Sequence, residues 1–185
     1  MTLHRATLPV AFATGVALAL ISTTALARDA GRNRAVPQPH KTVDIGRYAG
    51  LWHEIGRYEN RFERGMEGVT AEYRLRDDGL VEVINTGHKG APDGPAKVAV
   101  GRAKIVPDSG DAKLKVSFFG PFFFGDYWVL DHDPDYAWSI VGEPSGRYLW
   151  LLARDARPTS VVRDILFARA REFGYDTDRI RVTQQ

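Results

Sequence analysis

From Val43 onward, apolar and polar residues alternate in short runs, each ended by a turn residue. Side chains two apart share a face of an extended chain, so runs of this kind read as half-buried strands. The first is Gly50-Leu51-Trp52-His53-Glu54-Ile55-Gly56-Arg57-Tyr58, with Trp52, Glu54, Gly56 and Tyr58 on one face and His53, Ile55 and Arg57 on the other. A charged loop, Glu59–Glu67, leads to a second strand at Val69–Leu75. Asp77-Asp78-Gly79 turns the chain into a third, Leu80–Thr86, with Gly filling the position that needs positive φ. Ala96–Val106, Lys113–Phe118, Asp126–Asp131, Tyr136–Val141 and Arg147–Arg154 follow as strands four to eight. Then the period changes. Val161, Val162, Ile165, Leu166, Ala168, Ala170 and Phe173 recur at helical spacing, with Thr159 or Ser160 placed to cap the helix and Gly174 to end it.

Eight antiparallel strands joined by short turns gain from closing, because closure removes both exposed edges. The expected fold is all-β: an eight-stranded antiparallel up-and-down barrel with the C-terminal helix packed on the outside. The helix would cover Trp138, Ile140, Leu149 and Leu151. Such a barrel holds one small ligand or a filling of side chains. Closure also brings the first and last strands together, which predicts Arg154 over the Trp52 ring, a cation–π contact worth roughly 0.5–2 kcal/mol. Gly50 has no Cβ and would let a neighbouring chain approach beside that indole.

The 185 residues suit one domain, and a net charge of +2 without clustering gives no reason to expect a nucleic-acid partner. With no cysteine, disulfides, thiolate nucleophiles and Cys-bound metals are excluded. Residues Met1–Ala27 read as a signal peptide cleaved after Ala27: His4 and Arg5 lead an apolar run from Leu8 to Ile21, and Ala25-Leu26-Ala27 fits the small-x-small pattern. That run is short for a bilayer span and contains Pro9. Arg28–Thr42 reads as a flexible linker, and 43–185 as the folded domain. The expected location is the periplasm, free of the lipid anchor that an N-terminal Cys would carry.

Gly50-x-Trp52, Gly125-Asp126-Tyr127 and Arg154 resemble the three short regions that mark the lipocalin family. Arg61-Phe62-Glu63-Arg64-Gly65, Tyr73-x-Leu75-Arg76-Asp77-Asp78-Gly79, Lys115–Phe122 and Tyr148-Leu149-Trp150-x-Leu152 are similar to its bacterial subfamily. The resemblance runs from Val43 to the C-terminus. It implies that Gly50, Trp52 and Arg154 build the closed end, and that the protein carries small hydrophobic or amphipathic ligands, fatty acids or lysophospholipids, in membrane maintenance or stress response. Two positions depart from the subfamily. There is no lipobox Cys, and His53 stands where Tyr is usual.

Strand direction and alternation place the cavity. The first two strands offer Tyr58, Ala71 and Tyr73 to the interior, and the third and fifth offer Val83, Leu114, Val116 and Phe118. The sixth adds Tyr127 and Val129, the seventh Ser139 and Val141, the eighth Tyr148 and Trp150. This lining is apolar with a few hydroxyls and suits an amphiphile. Glu54 faces inward near the closed end, as a partner for Arg154 or a backbone donor. Around the open end, Phe119, Phe122, Phe123 and Phe124 form a rim loop. It touches a membrane, guards the pocket, packs across the mouth, or joins two copies; monomer and homodimer both stay open.

No cofactor or metal is expected. Asp131-His132-Asp133 lies before Pro134 and reads as a solvated turn, and His53-Glu54-x-x-Arg57 lacks the second His of a zinc-protease helix. The readings besides a carrier are an enzyme acting on a lipid or pigment through Glu54, Ser139 or a Tyr hydroxyl, and an interaction module working through the Phe loop.

Overall fold

A one-turn helix, α1 (Ile45–Tyr48), leads into β1 (Gly50–Tyr58) in the computed structural model, which describes residues 36–185. The signal-peptide assignment to 1–27 and the first part of the linker lie outside the described residues. Seven strands follow: β2 (Met66–Leu75), β3 (Val81–Lys89), β4 (Ala96–Ile105), β5 (Lys113–Ser117), β6 (Gly125–His132), β7 (Trp138–Gly142) and β8 (Leu149–Ala153). Helix α2 (Ser160–Glu172) and a short strand β9 (Ile180–Val182) complete the chain. Neighbours in sequence pair antiparallel from β2 to β8; β8 pairs with β1 and β1 with β2, so the barrel closes.

The alternation sorts the apolar residues into two cores. One fills the barrel, with Trp52, Tyr73, Val83, Leu114, Val129, Val141 and Leu152 among its members. The other lies between the outer wall and α2, where Trp138, Ile140, Leu149 and Leu151 meet Leu166, Ala170 and Phe173. Thr159 caps α2 by accepting from the Val162 amide at 3.4 Å, and Gly174 leaves the helix at a φ of +83°. The helix is also pinned electrostatically. Arg169 donates to the buried Asp131 carboxylate at 2.7 Å, and Lys41 meets the same carboxylate at 2.9 Å. The His40 amide bonds the Leu130 carbonyl and the Val43 amide that of Gly110, so residues 40–43 are tied to the barrel rather than free as a linker would be.

Besides a register shift in β6 between Val129 and Asp131, two features of the first strands depart from simple alternation. The β1–β8 register runs Glu54↔Leu152 and then Gly56↔Leu151, leaving Ile55 as an extra residue. A bulge of this kind flips the parity of everything beyond it. Arg57 therefore turns inward beside Trp150, and Tyr58 turns outward. The second feature is β9. Beyond His53, β1 no longer pairs with β2 and instead pairs with β9, from Gly56↔Val182 to Tyr58↔Ile180. The Gly68 amide of β2 then bonds the Gln184 carbonyl at 2.7 Å. The C-terminus thus fills the seam between the first two strands toward the open end. Strands β2 and β3 also run further than the alternation predicts, to Met66 and Lys89, because a register shift between Glu67 and Thr70 lets pairing continue past Gly68 at a φ of +54°.

Candidate functional site: a cup over an aromatic floor

The floor begins with Gly50, whose φ of +93° and missing Cβ leave room for Arg154 Nη1, 3.4 Å from where a Cβ would stand. The guanidinium lies 3.8 Å from the centre of the Trp52 ring. It donates to the Leu51 carbonyl at 2.7 Å and to those of Arg47, Tyr48 and Ala49 at 2.9–3.1 Å. A one-turn helix cannot satisfy its own last carbonyls, and Arg154 does it for α1. Trp52 Nε1 bonds the Tyr48 carbonyl at 2.8 Å, so the indole is held from both sides.

Above the floor lies a layer of hydroxyls. Tyr48 Oη is 3.2 Å from Ser139 Oγ and 2.9 Å from Tyr127 Oη, and Tyr73 Oη is 2.7 Å from Tyr127 Oη. Ser139 Oγ donates onward to the Asp131 carbonyl at 3.4 Å. Burial pushes the Tyr48 phenol up to about 12 and holds Tyr73 and Tyr127 well above the ordinary value. The layer is therefore neutral around pH 7, its groups satisfying one another.

Apolar walls rise from this layer. Val83, Leu114, Val129 and Val141 are buried, while Ala71, Val116, Phe118, Tyr127 and Trp150 pack against them half-buried. Tyr148 stacks on Trp150 with ring centres 5.8 Å apart. Higher up, β4 is exposed on both faces from Ala96 to Val100, although Ala99 shares the inward side with Asn85 and Ala71. β4 pairs with β5 only from Arg102 to Ile105, so this upper stretch lacks a partner on one side among the described residues, while the lower half of the barrel is packed.

Of the predicted lining, Tyr58 must be corrected. Reversed by the bulge, it joins the outer core, stands edge-on to Tyr175 at 5.5 Å and donates to the Asp176 carbonyl at 3.0 Å. Arg57 takes the inward place. Its Nη1 meets Glu54 Oε1 at 2.6 Å and Thr183 Oγ1 at 3.2 Å, and Nη2 reaches the Glu63 carbonyl at 2.8 Å. Glu54 is thus partnered by Arg57 and Thr183, not by Arg154. Burial, with Glu63 nearby, pushes the Glu54 carboxyl up to about 7 despite Arg57. Sequence reasoning missed Tyr48, Arg57, Glu63 and Thr183: the first sits in a four-residue helix, and the others depend on the bulge, a loop and β9.

The rim divides. Phe119, Phe122 and Phe124 are 87%, 63% and 81% exposed, with Phe122 and Phe124 stacked at 5.5 Å. Phe123 instead lies half-buried on the outer wall beneath Arg102 and Lys104. At the other end, Asp131 and His132 are buried rather than solvated, the first held by Lys41 and Arg169, the second stacked on Tyr136 at 4.3 Å. Among the described residues no group of three or more His, Cys, Asp or Glu is placed to hold a metal ion.

Comparison with known proteins places this geometry. The lipocalin-like domain family matches residues 43–185. The outer membrane lipoprotein Blc of Vibrio cholerae is 40% identical over 149 residues, covering 80% of this chain and 86% of the relative. Blc of Escherichia coli is 43% identical over 143 residues, covering 77% and 79%. Temperature-induced lipocalin-1 of Arabidopsis thaliana is 38% identical over 157 residues, covering 78% and 81%. Among solved structures, insecticyanin from the tobacco hornworm Manduca sexta shares the fold, with a TM-score of 0.66 at 20% identity over 84% of this chain and 87% of that one. The chain belongs to the lipocalin family, as a bacterial lipocalin of the Blc type.

Proposed function

We propose that the protein is a periplasmic lipocalin that carries small hydrophobic or amphipathic ligands, fatty acids or lysophospholipids, reversibly in its cup. The observation that supports this reading is the closed barrel with an apolar interior above a layer of buried hydroxyls. An alkyl chain entering it would bury methylenes against Val116, Tyr127 and Trp150, at roughly 0.8 kcal/mol each, and eight of them offset the ordering cost to give about micromolar affinity. In this reading binding is reversible and noncovalent, and the ligand leaves unaltered. Two relatives carry outer-membrane names and one is called temperature-induced, which supports a role in membrane maintenance or stress. The exposed Phe119, Phe122 and Phe124 would give such a carrier a means of touching a bilayer.

Titration with a fluorescent fatty acid tests the assignment. The wild type should saturate, with Tyr127→Arg and Trp150→Ala each weakening binding by about tenfold or more. Unchanged affinity in both variants would remove the pocket. Mass analysis of the ligand after incubation separates carrier from enzyme, since only an enzyme returns it altered.

A further inference from the structure

The barrel wall has a break on one side. Strands β4 and β5 pair from Ile105↔Leu114 to Arg102↔Ser117, where β5 ends. Above that rung β4 runs on to Ala96 with no partner on this flank among the described residues. Val98 and Val100 are 57% and 58% exposed there, and the inward Ala99 is exposed as well. Unpaired backbone groups along an edge contribute nothing to holding a wall shut. One side chain fills the break. Were the ladder to continue, Phe118 would face Gly101 on the inward side. A Cβ on Gly101 would stand 2.7 Å from Phe118 Cδ1, so the ring folds into the wall only because residue 101 has none. From within, Phe118 packs against the barrel core. From without, it lines a groove of about 420 Å³ together with Glu82, Val100, Arg102, Gly120 and Pro121. A single aromatic ring stands between that groove and the interior.

The segment that carries the ring is lightly tied. Among the described residues, one hydrogen bond joins residues 118–124 to β4, from Arg102 Nη2 to the Gly120 carbonyl at 3.1 Å, beside the contacts of Arg102 and Lys104 with the Phe123 ring. Ser117 Oγ, on β5, donates to the same carbonyl at 3.2 Å. Segments held by few buried contacts and few hydrogen bonds open locally at little cost. We propose that the break is a side port: with Phe118 swung out, the alkyl tail of a single-chain amphiphile passes through the wall between upper β4 and residues 118–124, rather than end-on through the mouth. The proposal rests on the carrier reading and adds the route by which the tail reaches the interior. Val98, Val100 and Phe119 are exposed beside the break, so a tail arriving there meets apolar surface before it enters.

Stopped-flow mixing with a fluorescent fatty acid reads association and dissociation separately. The chain has no cysteine, so Val100→Cys with Phe119→Cys, the next outward pair were the ladder to continue, gives a disulfide that staples the port and that reduction releases. A port is a path and not a contact, so closing it slows both rates together and leaves their ratio alone. With the link verified by mass, oxidation should slow both rates by about tenfold or more while Kd stays within about twofold, and reduction should restore them. Phe118→Ala removes the plug and should speed association by about fivefold, which the loss of a contact alone would not do. Association as fast in the oxidised as in the reduced protein, or no faster in Phe118→Ala than in wild type, would overturn the port while the carrier reading stands. Failure of the wild type to bind the probe would remove both.

Discussion

Arg154 has no carboxylate partner among the described residues; its charge is met by four backbone carbonyls and the face of Trp52. A lysine carries the same charge but is a compact ion with three donors, unable to cover the ring and reach four oxygens at once. Arg154→Lys should therefore destabilise the protein by about 1–3 kcal/mol, and Arg154→Ala by more, because the carbonyls of Arg47, Tyr48, Ala49 and Leu51 lose their donor. Urea denaturation gives the values, and a variant as stable as wild type would show that the floor does not depend on this contact. The pairing was legible in the sequence, since closing the barrel leaves Arg154 no other place. Arg57 was not. Counting by twos from Trp52 sends it outward, and only the bulge at Ile55, which has no local signature in Glu54-Ile55-Gly56, turns it inward in place of Tyr58.

Elements behave as their sequence periods imply wherever one face decides the outcome. Strands β5, β7 and β8 and helix α2 keep the faces that alternation and helical spacing assign, whereas β6 does so only to Val129, beyond which a register shift pairs Asp131 with the outward Ile140. Strand β9 escaped notice because three residues carry too little pattern, and its place is fixed by the seam that β1 and β2 leave open. The attachment of α2 is likewise tertiary. Burial alone would raise the Asp131 carboxyl, but hydrogen bonds from Lys41 and Arg169 outweigh it and hold the group below its ordinary range. A depressed folded value means stability that is present above the unfolded carboxylate pKa, about 3.9, and lost as pH falls through the folded one. Asp131→Asn should destabilise by about 1–3 kcal/mol at neutral pH, and the gap from wild type should close on acidification below about pH 4. Thermal melts across pH measure this; a gap independent of pH would mean that the ion pairs contribute nothing.

At the scale of the whole molecule, a closed barrel over a packed floor is the frame on which the proposed carrier role rests. The sequence revealed the barrel, its outer helix and which side chains face inward on most strands, because each follows from alternation and closure. The polar fittings at the mouth stayed hidden, since Glu63 comes from a loop and Thr183 from the far end of the chain. Of the four tryptophans, Trp52 and Trp150 belong to the interior, whereas Trp128 and Trp138 pack in the outer core. Bromine quenches indole fluorescence only at short range, so titration with a fatty acid dibrominated at mid-chain reports where the chain lies. The account predicts saturable quenching that is mostly lost in Trp150→Phe, although probe displacement shows the chain still bound. Quenching of equal depth in Trp150→Phe would place the chain against the outer wall and contradict a ligand carried inside the cup.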